Sequence, residues 1–160
     1  NLKDLKKLKS FNYNIFRECY NLTTVDLRGL ISLESISNYF LWKCSRLKEL
    51  KISDWTNLQE INYGYFLQDC AALTTLDLSS CTKLTTISSQ FLSCCGSLMN
   101  IYLPTQEPGS LTAQFDFMFG VPSTCNLYTT AEFVDSWKTW FQSIPSSAST
   151  IDRSAYVQVK

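Results

Sequence analysis

Along FLQDCAALTTLDLSSCTKLTTISSQ, residues 66–90, leucine, isoleucine and cysteine recur at uneven gaps. Those gaps fit neither the 3.6-residue period of a helix nor the two-residue period of a strand over the whole stretch. The gaps themselves repeat. Cys19, Cys44, Cys70 and Cys95 stand 25, 26 and 25 residues apart. Three residues after each comes Leu22, Leu47, Leu73 or Leu98, followed by Val25, Leu50, Leu76 and Ile101, and then by Leu27, Ile52, Leu78 and Leu103. Leu30, Trp55 and Cys81 make a further column, as do Leu33, Leu58 and Leu84, and Ile36, Ile61 and Ile87. Phe40, Phe66 and Phe91 precede the cysteines by four residues, with Ile15 in their place in the first copy. So many columns in register identify an internal repeat.

The repeat extends both ways. Leu2, Leu5, Leu8 and Phe11 match the last apolar columns of an earlier copy, so the chain is expected to begin mid-repeat. A degenerate copy follows, in which Phe115, Phe119, Cys125 and Leu127 fall near the columns, with Phe119 in the cysteine column. Pro104, Pro108 and Gly109 interrupt that coil. In LTTLDL, residues 73–78, the end alternates inward and outward as a short strand does. One such strand buries nothing alone. Copies stacked at ~4.8 Å pair their strands and cover each leucine with the next. The rest of each coil must return the chain to its start, past Leu84 and Ile87, with the FLxxC element turning the corner. The pattern predicts a right-handed leucine-rich-repeat solenoid of the α/β repeat class, with one short strand per coil of ~25 residues.

Residues 130–144 predict an amphipathic helix, with Phe133, Val134, Trp137, Trp140, Phe141 and Ile144 on one broad face. Thr129 with Glu132 reads as a capping box, and Tyr128 with Phe133 as a staple. A helix with two Trp and two Phe suits the bare apolar end of the last coil. Pro145 and the SSAS run end it, and AYVQV, residues 155–159, reads as an edge strand or the start of a linker. The division expected is repeats over residues 1–128 and a closing helix with its tail over residues 129–160.

FLQDCAALTTLDL and FLWKCSRLKELKI resemble the F-x-x-C-x-x-L-x-x-I-x-L pattern of the BspA-like leucine-rich repeats, also called the Treponema type. LMNIYLPTQEP and FMFGVPSTCNLYTTAEFVDSWKTW resemble that family's last repeat and closing helix, with Thr129 and Thr130 where Val-Pro is usual. The resemblance implies a bacterial cell-surface or secreted protein concerned with adhesion and host interaction. Its partner is then a host or neighbouring-cell surface or matrix protein, with glycan as an alternative.

Composition changes this picture little. The 160 residues carry 14 Lys+Arg against 14 Asp+Glu, so nothing global attracts nucleic acid. No apolar run approaches the ~20 residues of a membrane span. Lys3, Lys6, Lys7 and Lys9 sit on the polar side of an LxxLxxL pattern and read as a solvated face. Histidine is absent, which removes the commonest general base and metal ligand. Of the seven cysteines, Cys19, Cys44, Cys70 and Cys95 form a ladder of one per coil, which lacks the clustered spacing of a metal site. The seven read as buried thiols, including Cys81 and Cys125, except Cys94, which lies one place off the column and faces solvent. No catalytic constellation, cofactor motif or phosphate loop is present, and the reading is non-enzymatic.

The candidate binding residues are the outward positions of the strands, which form the concave face. In coil order they are Thr24, Asp26 and Arg28; Glu49, Lys51 and Ser53; Thr75, Asp77 and Ser79; Asn100, Tyr102 and Pro104. Asp26, Lys51 and Asp77 are expected side by side across three strands. Either they are cross-strand pairs on a solvated face or part of a recognition surface. Trp42, Tyr39, Tyr63 and Tyr65, near the turns, either stack on sugars or pack over neighbouring coils.

Overall fold

A computed structural model describes residues 5–109, 111–113, 116–144 and 153–160. Leu2, Lys3, Phe115, Pro145 and the SSAS run lie outside the described residues. Each coil holds two parallel strands rather than the one expected. The longer are β2 (Thr24–Asp26), β4 (Glu49–Lys51), β6 (Thr75–Asp77), β8 (Asn100–Tyr102) and β10 (Asn126–Thr129). The shorter are β1 (Ser10–Phe11), β3 (Ser35–Ile36), β5 (Glu60–Ile61), β7 (Thr86–Ile87) and β9 (Thr112–Ala113), which form a second ladder in that order. Each shorter strand has two residues and at most one fully inward side chain, such as Ile36 or Ile61, so it leaves no alternation to read in the sequence.

The columns of the repeat become the layers of the core. Leu47, Leu73 and Leu98 are fully buried, as are Cys44, Cys70 and Cys95. Phe40, Phe66 and Phe91 stack ring on ring, with centroids 5.2 and 5.0 Å apart. Trp55 is buried in the column of Leu30 and Cys81, and its Nε1 donates to the Leu27 carbonyl. An indole inside a core needs such a partner for its one polar atom.

The outer turns carry an unusual backbone. Asn14, Phe16 and Glu18 have positive φ, as do Tyr39, Leu41 and Lys43 one coil on, and Tyr65 and Asp69 in the next. Each such residue costs on the order of 1 kcal/mol or more in strain. At least one N–H of each turn reaches a carbonyl of the following coil, while the Leu41 N–H reaches back to Ile15. Glu18 N–H donates to the Trp42 carbonyl, Lys43 N–H to Gln68, Asp69 N–H to Ser93 and Cys94 N–H to Phe119, at 2.7–2.9 Å. These bonds exist only between stacked coils, so the turn is stable only in the stack. Gly120 continues this column at φ +75, where a Cβ would stand 3.2 Å from the Cys94 backbone.

The same geometry explains the cysteines. The thiols of Cys44, Cys70 and Cys95 donate to the carbonyls of Phe16, Leu41 and Leu67 in the preceding coil, at 3.1, 3.2 and 3.1 Å. Cysteine is small enough for the corner and still supplies a weak donor. In the degenerate coil the cysteine column is filled by Val121, not Phe119. Val121 N–H bonds the Met118 carbonyl, as Cys95 N–H bonds that of Leu92, while Phe119 is 48% exposed. Cys125 and Leu127 are buried as expected.

Helix α1 spans Val134–Ser143 and starts four residues later than the pattern predicts. Thr129 is the last residue of β10, which is paired on both sides, so it is not free to cap. The capping box and staple are therefore not formed. Phe133 stands at the N-cap without a side-chain bond, and Tyr128 stacks on Tyr102 instead. Trp137, Trp140 and Phe141 are buried against the last coil. The two indole N–H groups donate to the carbonyls of Pro104 and Leu111 at 3.2 and 2.9 Å. The chain then returns through Arg153, whose buried guanidinium donates to the carbonyls of Val121 and Pro122. Burial lowers its pKa from the usual arginine value. A 3-10 turn (Ser154–Tyr156) leads into β11 (Val157–Val159), which pairs with β10. Of the two readings of residues 155–159, the edge strand is the one observed.

Candidate functional site

The longer strands present one face outward. On β2 and β4 the central residues Val25 and Leu50 point into the core, leaving Thr24, Asp26 and Arg28 exposed beside Glu49, Lys51 and Ser53. Thr75, Asp77 and Ser79 follow on and after β6, and Asn100 and Tyr102 on β8. Pro104 does not belong to this surface: it is buried, and its carbonyl accepts from Trp137.

Asp26 and Lys51 are register partners, as expected, but they do not form the ion pair. The charges pair along each strand. Arg28 Nη2 lies 2.6 Å from Asp26 Oδ2, and Lys51 Nζ lies 3.1 Å from Glu49 Oε1. Residues two apart share a face, and an Arg fork reaches back to grip both oxygens of a carboxylate. Asp26 and Asp77 also shape the chain. Asp26 Oδ1 accepts the Arg28 backbone N–H, and Asp77 Oδ1 accepts both N–H and Oγ–H of Ser79. These are Asx turns at the strand ends. The Arg28 hydrogen bonds hold the Asp26 carboxyl well below the usual carboxylate range. A carboxylate that stays ionised is the opposite of a proton donor.

The face is broken into two ladders. β2 and β4 form one, and β6, β8, β10 and β11 the other, so Lys51 and Asp77 are not ladder partners. It also runs further than the predicted residues. β10 adds Asn126 and Tyr128, and β11 adds Gln158 with Lys160 beyond it. Asn126 Nδ2 donates to Asn100 Oδ1 at 3.3 Å, and Gln158 Nε2 to Asn126 Oδ1 at 2.8 Å. Tyr102 and Tyr128 stack at 5.2 Å, and the Lys160 ammonium sits 4.2 Å from the Tyr102 ring centre. The sequence does carry a signal for Asn126 and Tyr128: they lie 26 residues after Asn100 and Tyr102 in the same column. Taking Phe119 for the cysteine column obscures it.

The turn aromatics pack over neighbouring coils. Tyr39 and Tyr65 stack at 4.9 Å, and Trp42 meets both edge-on. Arg17 and Lys43 both lie over the Trp42 ring, at 4.7 and 4.3 Å. Those cations occupy the surface a sugar would use. Tyr63 is 68% exposed.

Burial disfavours the thiolate form of the core cysteines. Burial pushes Cys44 and Cys125 up to about 11, and Cys81 and Cys95 up to about 12. Cys94 is exposed as expected, but desolvation and Asp69 raise its thiol too. Among the described residues no group of His, Cys, Asp and Glu is arranged to hold a metal. No helix among them is long and apolar enough to cross a membrane.

Stacked parallel coils with leucine columns and one outward strand face define a leucine-rich-repeat solenoid. The family model of the BspA type leucine rich repeat region, in 6 copies, matches residues 9–136 and 56–159, and the chain belongs to that family. A crystal structure of a leucine-rich repeat protein from Bacteroides ovatus is similar at 16% identity and a TM-score of 0.28, over 76% of this chain and 43% of that one. No curated protein matches the sequence. This chain thus spans less than half the length of the Bacteroides protein. Family membership supports an interaction module, and proteins of this type are commonly extracellular or surface-associated.

Proposed function

We propose that the chain is a non-enzymatic protein-binding module of a bacterial cell-surface or secreted protein. It contacts a surface or matrix protein of a host or neighbouring cell through the outward face of its longer strands. The observation carrying this reading is the division of labour within each coil. The periodic residues are spent on the core, and the strand positions between them form a polar and aromatic surface. A repeat scaffold offers such a surface at fixed spacing.

The test uses variants that leave the Asx turns intact, since charge reversal at Asp26 or Asp77 would also disturb the backbone. The wild type, Lys51→Glu with Tyr102→Ala, and Tyr63→Ala on the outer turn are immobilised and offered a panel of purified surface and matrix proteins. A protein held by the wild type and Tyr63→Ala but lost by the strand-face variant supports the reading. Retention by the strand-face variant moves binding off this face. No binding at all favours a spacer that presents another domain. The glycan alternative rests on Tyr102 rather than Trp42, and an oligosaccharide array with Tyr102→Ala decides it.

A further inference from the structure

The last three strands of the face differ chemically from the rest, and we infer that they form a subsite for an acidic peptide segment of the partner. The inference deepens the strand-face reading and rests on it. Its residues are Asn100, Tyr102, Asn126, Tyr128, Gln158 and Lys160. The three carboxamides are joined head to tail across β8, β10 and β11. That row fixes their orientation, and it uses the carbonyl oxygens of Asn100 and Asn126 as acceptors. Each NH₂ carries two hydrogens and gives at most one to the row, so every amide keeps an N–H for a ligand. Beside the row stand the two stacked phenols, each with an O–H, and the Lys160 ammonium above Tyr102. Spare capacity on this patch is weighted toward donors.

Charge points the same way. β8, β10 and β11 contain no carboxylate. Asp77, the register partner of Tyr102, is the nearest acidic position on the face, and its Oδ1 accepts from Ser79. By contrast the cations just after β2 and on β4, Arg28 and Lys51, are already paired with Asp26 and Glu49. An ammonium with no Asp or Glu partner among the described residues, set beside oriented N–H and O–H donors, matches an anion rich in acceptors. A lone cation is too little for a nucleic-acid backbone, whose binding grows with the number of phosphates neutralised. Rigid tyrosines interleaved with adaptable amides are the chemistry of protein-binding paratopes, which favours a peptide as the source of the carboxylates.

The experiment follows the side-chain NH₂ resonances of Asn100, Asn126 and Gln158 in the 160-residue chain. The probes are an octapeptide of glutamate, the matching octapeptide of glutamine, and an oligogalacturonate of equal carboxylate concentration. Expected is saturable movement with the glutamate peptide that weakens as salt is raised. The glutamine peptide should bind at least tenfold more weakly. Tyr128→Phe with Lys160→Gln should lower glutamate-peptide affinity at least tenfold, while Lys83→Gln, whose ammonium bonds Asn57 away from the strand face, leaves it unchanged. Equal binding of the two peptides, resonances that stay still, or tighter binding of the oligogalacturonate would each overturn the subsite. Capture of a partner through the strand face, with no response to the glutamate peptide, leaves the proposed function standing and removes only this inference.

Discussion

The two ends of the strand face are built from different chemistry. On β2 and β4, formal charges dominate, and each is spoken for by a neighbour on its own strand. On β8, β10 and β11, neutral amides and phenols dominate, linked across strands. The first end uses its polar groups to shape the turns and neutralise itself. The second uses them to tie strands together and keeps donors over. Charge density is therefore a poor guide to where this surface binds. What matters is how much hydrogen-bonding capacity the protein leaves unspent.

The strongest way to break the comparison is to remove the support of the second end. Trp137→Ala empties a buried indole site beneath helix α1 and removes the bond to Pro104. A loss of about 3–5 kcal/mol is expected. Hydrogen exchange should show β10 and β11 opening before β2 and β4.

A smaller effect is expected in the cysteine ladder. Cys70→Val preserves size, as Val121 does naturally, but deletes the thiol bond to the Leu41 carbonyl. The loss should be about 1 kcal/mol in urea denaturation. Thiol labelling under native conditions sharpens the point. Cys94 and the half-buried Cys19 should react, while Cys44, Cys70, Cys81, Cys95 and Cys125 stay protected until unfolding.

Acid separates the two ends most gently. The folded-state pKa of Asp26 lies below its unfolded value, so its contribution is present above the ordinary carboxylate range and is lost as pH falls through the folded value. Below about pH 4 the first end should lose stability from this source, and Asp26→Asn should abolish that part of the acid dependence. The second end has no carboxylate on its last three strands and should show no counterpart.

Much of this is legible in the sequence, for a physical reason. Inward positions such as Leu73, Leu76 and Cys70 meet their own copies in the next coil, so the packing imposes one pattern many times. The front strands and the closing helix follow from it. The second ladder is hidden because Ile36 or Ile61 alone carries no alternation. The late start of α1 is hidden because Thr129 looks like a cap until its strand partners are known. The outward strand positions keep their column from Thr24 to Tyr102, although Lys51 and Asp77 are not ladder partners. Asn126 and Tyr128 are missed when Phe119 instead of Val121 is taken for the cysteine column, and Gln158 and Lys160 are missed because β11 belongs to no repeat. The Asp26–Lys51 pair is not formed because register predicts neighbours, while the reach of Arg28 decides which pair forms.

The measurement that tests the central claim most directly is hydrogen exchange of the chain with and without a partner taken from the surface and matrix panel. The account predicts new protection on the longer strands, strongest at β8, β10 and β11, with the outer turns at Tyr39–Lys43 unchanged. Protection confined to those turns or to helix α1, with the strand face still exchanging freely, would contradict it.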